Sequence, residues 1–340
     1  MKAPFESAKR RSTTAENVLI TVQCEGGVCG YGEASPAAYV TGETPESVLA
    51  GLPAVSAALQ GIPVEARERW TRALHEFASA PTLRSAVEMA LLDALARTWQ
   101  IPLWLYFGGA GREVRSDLTI PIADPETAGK VAAEAGARGY RSLKIKVGGG
   151  DREADFERVL AVSRAAPRAG IRLDANQAFS PEEALAFLAR CGKAEVPVEL
   201  MEQPVHRDDW DGLAVVTRAS PVPVIADEAV VDARAALRIA ATGAAHGINI
   251  KVAKAGLVGA QQIIAIARAA GLKLMLGCML ESLLGIGASL HLAGGTGAFD
   301  YLDLDSHTLI GLEAPGLPFR QAGDVLQADQ FEPGIGWQPA

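Results

Sequence analysis

The sequence predicts an α/β protein, with a (β/α) barrel of the TIM type over residues 111–314 and a smaller α+β unit over residues 1–110. The chain has 340 residues, 49% hydrophobic and 21% charged, which is enough to bury one large domain and a smaller one. After residue 110 short apolar strands alternate with helical stretches, and eight such strands can be identified. Eight strand-helix units are typical of a closed parallel barrel rather than an open sheet.

The α+β unit begins with residues that favour a hairpin and continues with helices. Two β-rich stretches flank Gly26 and Gly27, which favour a tight turn. The helical pattern nearest the barrel has apolar residues at the spacing of an amphipathic face. In chain order we predict strands at 17–23 and 28–33, and helices at 45–60, 64–77 and 83–99.

The barrel prediction depends on a repeat of strand and helix. Each predicted strand is short and apolar, and helical spacing follows it. The strands are predicted at 117–122, 141–147, 171–175, 198–202, 224–227, 247–251, 272–276 and 301–304. The helices are predicted at 125–138, 151–166, 181–190, 210–218, 233–242, 258–269 and 282–292. No Gly-x-Gly-x-x-Gly pattern supports a dinucleotide-binding fold.

Composition argues against several classes of partner and site. A net charge of −8 and an isoelectric point near 5.3 argue against nucleic acid. The N-terminus lacks an apolar export segment, so we expect a cytoplasmic protein. The apolar run 272–295 is interrupted by Lys273, Glu281 and His291, which favours a buried strand and helix over a membrane span. The four cysteines and five histidines lack the spacing of a disulfide framework or a zinc site.

A charged residue ends each of five successive predicted strands. These residues are Lys146, Asp174, Glu202, Asp227 and Lys251, at intervals of 24 to 28 residues. Because the carboxyl ends of barrel strands meet at one rim, we expect the five side chains to converge. Three carboxylates without histidine or thiol ligands form an oxygen site that suits Mg²⁺.

Lysines on either side of such a site indicate a type of reaction. Lys144 and Lys146 point to the same face of one strand, where repulsion and burial favour the neutral, basic form of at least one of them. A proton next to a carboxylate is weakly acidic, and its removal gives an enediolate whose charge a metal ion can stabilise. One lysine could remove that proton and Lys251 could return one on the opposite face, which would invert the α-carbon.

Five motifs resemble those of the enolase superfamily, muconate-lactonising subgroup. They are LKIKV, RLDANQAF, MEQPV, IADEAV and INIKVAKAGL. The resemblance implies a modified, enolase-like barrel with an N-terminal capping domain, which residues of about 315–340 would complete. In this superfamily a lysine base works with Mg²⁺.

The resemblance also assigns roles to the charged residues. It implies that Mg²⁺ is bound by Asp174, Glu202 and Asp227. From their positions just after two of these acids, Asn176 and Gln203 would be either supporting groups or helix-entry groups. Lys146 and Lys251 would be the two acid/base groups. Lys144 would contact the substrate carboxylate and favour the neutral form of Lys146.

The last predicted strand ends in Asp303-Leu304-Asp305, with both carboxylates on one face. This pair is similar to the Asp-x-Asp of dipeptide epimerases, which implies that it holds the free ammonium of a substrate. Thr119 and Cys278 also resemble substrate-contacting positions. Sugar-acid dehydratases of the superfamily usually have a histidine after strand seven. Residues 276–279 of this chain read LGCM at that point, which argues against a dehydratase.

The N-terminal segment 4–10 resembles the capping-domain loop that closes over the substrate side chain. In that resemblance Arg10 matches the arginine that binds a glutamate carboxylate in Ala-Glu epimerases, a task that suits its planar guanidinium. Family members usually begin with another strand before this loop, so we expect either a truncated start or a cap that lacks an edge strand. We also expect a homo-oligomer.

The residues and the resemblance together predict a Mg²⁺-dependent dipeptide epimerase acting on a small-molecule substrate, with L-Ala-D/L-Glu as the preferred dipeptide. The resemblance alone implies a role in murein-peptide metabolism. On the same scaffold the alternatives are an N-succinylamino-acid racemase or o-succinylbenzoate synthase, a muconate-type lactonising enzyme, and a dipeptide epimerase of different side-chain preference. A non-catalytic binding protein that kept the barrel is the alternative from another class.

Overall fold

The computed structural model describes residues 5–9, 11–310 and 318–339. Its N-terminal unit contains two antiparallel hairpins and a group of helices. In chain order the elements are β1 (Phe5–Glu6), β2 (Arg11–Ser12), β3 (Val18–Gln23), β4 (Cys29–Ala34), α1 (Ala38–Thr41), α2 (Pro45–Leu59), α3 (Arg67–Leu74), α4 (Pro81–Thr98), α5 (Leu103–Tyr106) and β5 (Glu113–Arg115). The predicted β3–β4 hairpin and the three longer helices are confirmed. The helix predicted at 64–77 is shorter in the structure than in the prediction. It begins at Arg67, and the last predicted residues form a 3₁₀ turn.

Helix α4 is buried on almost all sides, although the sequence predicts an amphipathic helix. On one side it packs on β4 so closely that a Cβ atom at Gly30 would lie 2.1 Å from the Ala90 carbonyl oxygen. On another side it packs against a helix of the barrel. The amphipathic prediction is wrong because α4 lies between two layers, so that even Glu88 and Asp93 are buried.

Eight parallel strands form the barrel, which confirms the predicted fold. They are β6 (Leu118–Ile120), β7 (Ser142–Lys146), β8 (Gly170–Asp174), β9 (Val198–Glu202), β10 (Val224–Ala226), β11 (Gly247–Lys251), β12 (Lys273–Gly277) and β13 (Tyr301–Asp303). Neighbours in sequence are neighbours in the sheet. A hydrogen bond of 3.0 Å from Asp117 N to Leu302 O joins the first strand to the last.

Helices follow the strands and cover the outside of the barrel. They are α6 (Pro125–Ala137), α7 (Arg152–Ala165), α8 (Pro181–Lys193), α9 (Trp210–Ala219), α10 (Ala233–Thr242), α11 (Val252–Ala270), α12 (Leu283–Thr296) and the short α13 (Ser306–Leu309). Several begin at an Asp or Ser whose side chain accepts a backbone N–H; at Ser180 this forms a capping box with Glu183.

Helix α11 begins earlier than the sequence predicts. It starts at Val252, directly after Lys251, and it breaks at Gly256, which has a φ of 72°. The predicted start at residue 258 is wrong because residues 252–255 already form one helical turn before the break. The apolar spacing becomes regular only after Gly256, so periodicity does not detect that turn.

The apolar run at 272–295 forms β12 and most of α12, as predicted. Both elements are buried in the barrel and its helical layer. Within the described ranges, no helix combines the length and the apolar character needed to cross a membrane.

The C-terminal residues return to the N-terminal unit. Strands β14 (Phe319–Ala322) and β15 (Val325–Ala328) form an antiparallel sheet with β5. Beyond them, Ile335 N donates to the carboxylate of Asp93 on α4, and Trp337 packs edge-on against Tyr31. The exact limits of the two domains, at residues 110 and 314, stay a prediction.

Candidate active site

The five charged residues predicted at strand ends lie at one rim of the barrel. The last residues of their strands are Lys146, Asp174, Glu202 and Lys251, and Asp227 follows β10 directly. All five are buried. Lys146 and Lys251 approach from opposite sides, because β7 and β11 are four strands apart in an eight-stranded barrel.

On one side of the cluster, Lys144 and Lys146 of β7 contact acids of other strands. Lys146 Nζ lies 2.5 Å from Asp174 Oδ2. Lys144 Nζ lies 3.1 Å from Asp174, 2.7 Å from Glu202 and 2.6 Å from Asp303. Burial alone would lower the pKa of Lys144, but these carboxylates raise it well above its ordinary value. Lys144 is therefore protonated, although repulsion between the two lysines would favour its neutral form.

On the other side, Lys251 and Lys254 share the carboxylate of Asp227. Lys251 Nζ lies 2.9 Å from Oδ2, and Lys254 Nζ lies 2.5 Å from Oδ1. Burial opposes the ionisation of Asp227, but the two ammonium groups hold its pKa far below the ordinary value. Burial likewise opposes the charge on Lys251, and Asp227 raises the pKa of Lys251 well above its ordinary value. Each of the two predicted bases is thus paired with a different predicted metal ligand.

The carboxylates of Asp174, Glu202 and Asp227 fit a hard divalent cation. All three are oxygen donors at one rim, and Mg²⁺ prefers such donors. Burial raises the pKa of Glu202 to about 7, and the negative charge of Asp174 contributes next. A cation among the three would relieve this repulsion and favour the ionised form of Glu202.

The predicted substrate-binding residues Asp303, Asp305, Thr119 and Cys278 also come together at this rim. Thr119 N donates to Asp305 Oδ2 at 2.5 Å, and Thr119 Oγ donates to Asp303 Oδ1 at 3.1 Å. Among the described residues, one group of three acidic or thiol side chains can offer one ligand atom each within 4.8 Å of one another, and it consists of Cys278, Asp303 and Asp305. Because burial raises the pKa of the Cys278 thiol well above its ordinary value, this group is a poorer Mg²⁺ site than the three carboxylates.

The two aspartates differ in charge environment. Burial opposes the ionisation of Asp303, but Lys144 and then Lys146 hold its pKa below the ordinary range. Burial and the neighbouring charge of Asp303 raise the pKa of Asp305 to about 6. A cationic group of a ligand beside them would favour the ionised form of both.

Two family models match the chain. Residues 126–340 match the model described as enolase C-terminal domain-like, and residues 1–108 match the N-terminal domain of mandelate racemase and muconate lactonizing enzyme. The chain belongs to the enolase superfamily. The expectation drawn from the five sequence motifs is confirmed.

Relatives of this enolase-superfamily protein are epimerases, which identifies it as an isomerase of the racemase and epimerase type. An aromatic dipeptide epimerase of Herpetosiphon aurantiacus is 41% identical over 326 residues, 95% of this chain and 91% of that protein. An L-Ala-D/L-Glu epimerase of Thermotoga maritima is 38% identical over 95% of this chain and 94% of that protein. The crystal structure of the dipeptide epimerase of Enterococcus faecalis V583, complexed with Mg and L-Leu-L-Tyr, has a TM-score of 0.93 at 32% identity over 98% of this chain and 95% of that chain.

Main-chain N–H groups and amide side chains hold the acids of this superfamily member in position. The contacts are Asn176 N to Asp174 Oδ1 at 3.0 Å, Asp227 N to Gln203 Oε1 at 2.9 Å, and Asn249 Nδ2 to Glu202 Oε1 at 2.8 Å. Asn176 and Gln203 have positive φ angles of 40° and 32°. Such angles are uncommon for residues other than glycine, and here they occur where the chain leaves β8 and β9, just after Asp174 and Glu202.

Asn249 and Lys254 have roles at the site that the sequence did not predict. Asn249 lies two residues before Lys251, so strand alternation alone could have placed both side chains on one face. Lys254 lies in the helical turn before Gly256, where the sequence predicts no helix. No local pattern indicates that its side chain returns to Asp227.

The cleft at this rim has a polar floor and apolar residues in its wall. The apolar or aromatic residues that line it are Phe5, Tyr39, Val40, Met279, Leu280 and Leu309. Phe5 and Ser7 belong to the segment predicted to close over a substrate side chain. Arg10, predicted to bind a glutamate carboxylate, lies outside the described residues.

Proposed function

We propose that this protein is a Mg²⁺-dependent dipeptide epimerase that inverts the α-carbon of the C-terminal residue by a two-base 1,1-proton transfer. The observation that carries the proposal is that Lys146 and Lys251 line one cleft from opposite sides of the barrel, together with Asp303 and Asp305. Bases on both faces of an α-carbon favour inversion, because one removes the proton and the other returns a proton to the opposite face.

The metal would be held by Asp174, Glu202 and Asp227. When bound, Mg²⁺ supplies Lewis-acid stabilisation of the negative charge that develops on the substrate carboxylate. Lys144 adds a permanent positive charge at the same rim, since its ammonium contacts Asp174 and Glu202. The relative complexed with Mg and L-Leu-L-Tyr supports this choice of ion.

The two lysines exchange roles with the direction of the reaction. Lys146 Nζ takes the α-proton of one diastereomer while Lys251 Nζ, still charged, donates a proton to the other face. In the reverse direction Lys251 is the base and Lys146 is the acid. Both groups are buried, so little water competes with the substrate for them.

The free ammonium of the dipeptide would bind between Asp303 and Asp305. Both carboxylates are buried, line the cleft and are oriented by Thr119. An ammonium is a point charge with several donors, and two carboxylates can accept from it together. An N-succinyl substrate has no such cation and would leave the pair without a partner.

The preferred side chain of the substrate is the finer part of the proposal. A glutamate substrate, as in L-Ala-D/L-Glu, would depend on Arg10. The apolar residues in the wall of the cleft favour a second candidate, a dipeptide with an apolar or aromatic C-terminal residue. Such a side chain would be buried by Phe5, Val40, Met279 and Leu280. The Herpetosiphon aurantiacus relative, an aromatic dipeptide epimerase, supports this candidate.

Proton NMR in D₂O with enzyme and Mg²⁺ tests the function and the preference together. The substrates are L-Ala-L-Glu, L-Ala-L-Phe and N-succinyl-L-Phe, each followed at its α-proton and by the appearance of the inverted product. Exchange and inversion of the dipeptides alone would support the epimerase, and their relative kcat/KM decides between the glutamate and apolar preferences. Turnover of the succinyl compound without turnover of any dipeptide would instead identify an N-succinylamino-acid racemase.

A further inference from the structure

The segment that follows Lys251 is held by the N-terminal unit as well as by the barrel. We propose that Arg84, Ser85 and Glu88 of α4, here called the α4 clasp, position Lys251 and Asp227 for the reaction. The inference rests on the proposed function for the role of Lys251 as a base. The position of the base Lys251 would then depend in part on α4, a helix outside the barrel.

Residues 252–255 form a single helical turn that is separated from the rest of α11. At Gly256 the backbone has φ 72° and ψ 167°, so the helix does not continue through it. One isolated turn is unstable, because helix nucleation fixes several residues for one hydrogen bond. The break also leaves carbonyl groups before it and N–H groups after it without helical partners.

The α4 clasp provides partners on both sides of the break. The contacts are Ser85 Oγ to Val252 O at 2.5 Å, Arg84 Nη2 to Ala255 O at 3.2 Å, and Val258 N to Glu88 Oε2 at 3.1 Å. Ser85 and Glu88 are buried. A Cβ atom at Gly256 would lie 2.2 Å from Glu88 Oε2, so the close approach of the clasp requires glycine there.

The turn at residues 252–255 is connected to the active site in two ways. Lys251 is bonded directly to Val252, whose carbonyl oxygen Ser85 holds. Lys254 lies within the turn, and its Nζ donates to Asp227 O at 2.7 Å and to Val230 O at 3.2 Å, besides the Asp227 carboxylate. A displaced turn would therefore move a base and a metal ligand together.

The other base has no comparable link to the N-terminal helix. Within the described ranges, no hydrogen bond joins α4 to Lys146 or to the loop that follows it. Asp155 instead accepts from Gly148 N at 2.7 Å and so fixes that loop from within the barrel. Loss of the α4 clasp should therefore impair proton transfer on the Lys251 face more than on the Lys146 face.

Four variants test the clasp. Glu88→Met removes the acceptor for Val258 N, and Glu88→Gln keeps an acceptor oxygen there. Ser85→Ala removes the donor to Val252 O. Ser289→Ala is the matched control, since Ser289 is equally buried, lies on α12 and finds no hydrogen-bond partner for its hydroxyl among the described residues.

The readout is α-proton exchange in D₂O from each diastereomer of the preferred dipeptide. Lys251→Ala identifies the diastereomer whose α-proton faces Lys251, because exchange from that one is lost. In Glu88→Met and Ser85→Ala we expect exchange from this diastereomer to fall about tenfold more than exchange from the other, since small displacements of a catalytic group are costly. Glu88→Gln and Ser289→Ala should behave like the wild type.

An equal loss for both diastereomers, or no loss, would overturn the proposal, because a structural role alone moves both faces together. If Glu88→Met does not fold, as judged by circular dichroism, the decision falls to Ser85→Ala.

A second readout does not need activity. Titration calorimetry of the metal-free proteins with Mg²⁺ should show severalfold weaker binding in Glu88→Met and Ser85→Ala than in Ser289→Ala, because Asp227 moves with the turn. A wild type that exchanges no dipeptide would end the proposed function, and the calorimetry would still decide the clasp. Equal Mg²⁺ affinity in all variants would then contradict it.

Discussion

The Lys254 ammonium contacts both the main chain and the side chain of Asp227. Its Nζ lies 2.7 Å from the backbone oxygen of Asp227 and 2.5 Å from Oδ1. Lys254 is 1% exposed, and burial lowers its pKa. Lys251 holds the other carboxylate oxygen of Asp227. The orientation of this predicted metal ligand is thus determined by two lysines, one of which lies outside the cleft.

Replacing Lys254 by Met keeps an unbranched side chain and removes the charge. We expect the free energy of unfolding to fall by about 3 kcal/mol, because a buried carboxylate loses one of its charged partners. Urea denaturation measures the change. Lys130→Met is the control, since the pair of Lys130 with Glu126 is exposed and should contribute little. A loss in Lys254→Met no larger than in the control would contradict the role of Lys254.

The two-base scheme predicts that Lys146→Ala and Lys251→Ala each reduce epimerisation by about 10³-fold, the usual range for loss of a general acid or base. Each variant should still exchange the α-proton of one diastereomer with solvent, because the remaining lysine faces that proton. The two variants should retain exchange of opposite diastereomers. Full epimerisation in either variant, measured by NMR beside Lys130→Ala, would exclude the scheme.

The strand-end residues could be predicted because they depend on local pattern alone. Strand alternation and the position of catalytic groups in barrels place Lys146, Asp174 and Lys251 without any knowledge of distant contacts. Asp303 and Asp305 followed from the same rule, with the family resemblance supplying their role.

Contacts between the N-terminal unit and the barrel could not be predicted. Glu33 of β4 accepts from Ser282 N, Ser282 Oγ and Gly285 N at the start of α12, about 250 residues further along the chain. The interaction of Glu88 with Val258 is of the same kind. No periodicity or spacing relates residues so far apart, because their proximity arises only when the two units pack together.

Asn replacements at Asp303 and Asp305 should separate dipeptides from N-acylated substrates. Asn keeps the shape and loses the negative charge, so the substrate ammonium loses its ionic partners. We expect kcat/KM for a free dipeptide to fall about 100-fold in the double variant, which corresponds to the loss of charged hydrogen bonds. The same dipeptide carrying an N-acetyl group is the control and should lose little. Equal losses for both substrates would indicate that the pair does not bind the ammonium.

Removal of divalent cations should abolish α-proton exchange, and Mg²⁺ should restore it. In addition, Mg²⁺ should stabilise the folded chain by about 2.7 kcal/mol at a hundredfold excess over its Kd, because the ion binds the native carboxylates. Thermal unfolding with EDTA and with Mg²⁺ measures this difference. In Asp174→Asn the stabilisation by Mg²⁺ should be smaller. Exchange that persists in EDTA would argue against a metal-dependent mechanism.

The buried His291, which lies outside the active site, should make the stability of the fold depend on pH. The ring is buried in α12, where Nδ1 accepts from Trp104 N at 2.9 Å, and burial lowers the pKa of His291 from 6.5 to about 4. Between these values the unfolded chain binds a proton at His291 and the folded chain does not. This contribution to stability is therefore fully present above pH 6.5, and about 3 kcal/mol of it is lost as the pH falls to 4.

The variant His291→Asn isolates this contribution, since its amide oxygen can still accept from Trp104 N but does not titrate. Urea denaturation of both proteins between pH 4.5 and 7 gives the difference in unfolding free energy at each pH. We expect that difference to shrink as the pH falls, because only the wild type loses stability through residue 291. Other titrating groups, such as Glu88, are common to both proteins and cancel. A difference that stays constant over this range would mean that His291 is already protonated in the folded chain or titrates equally in both states.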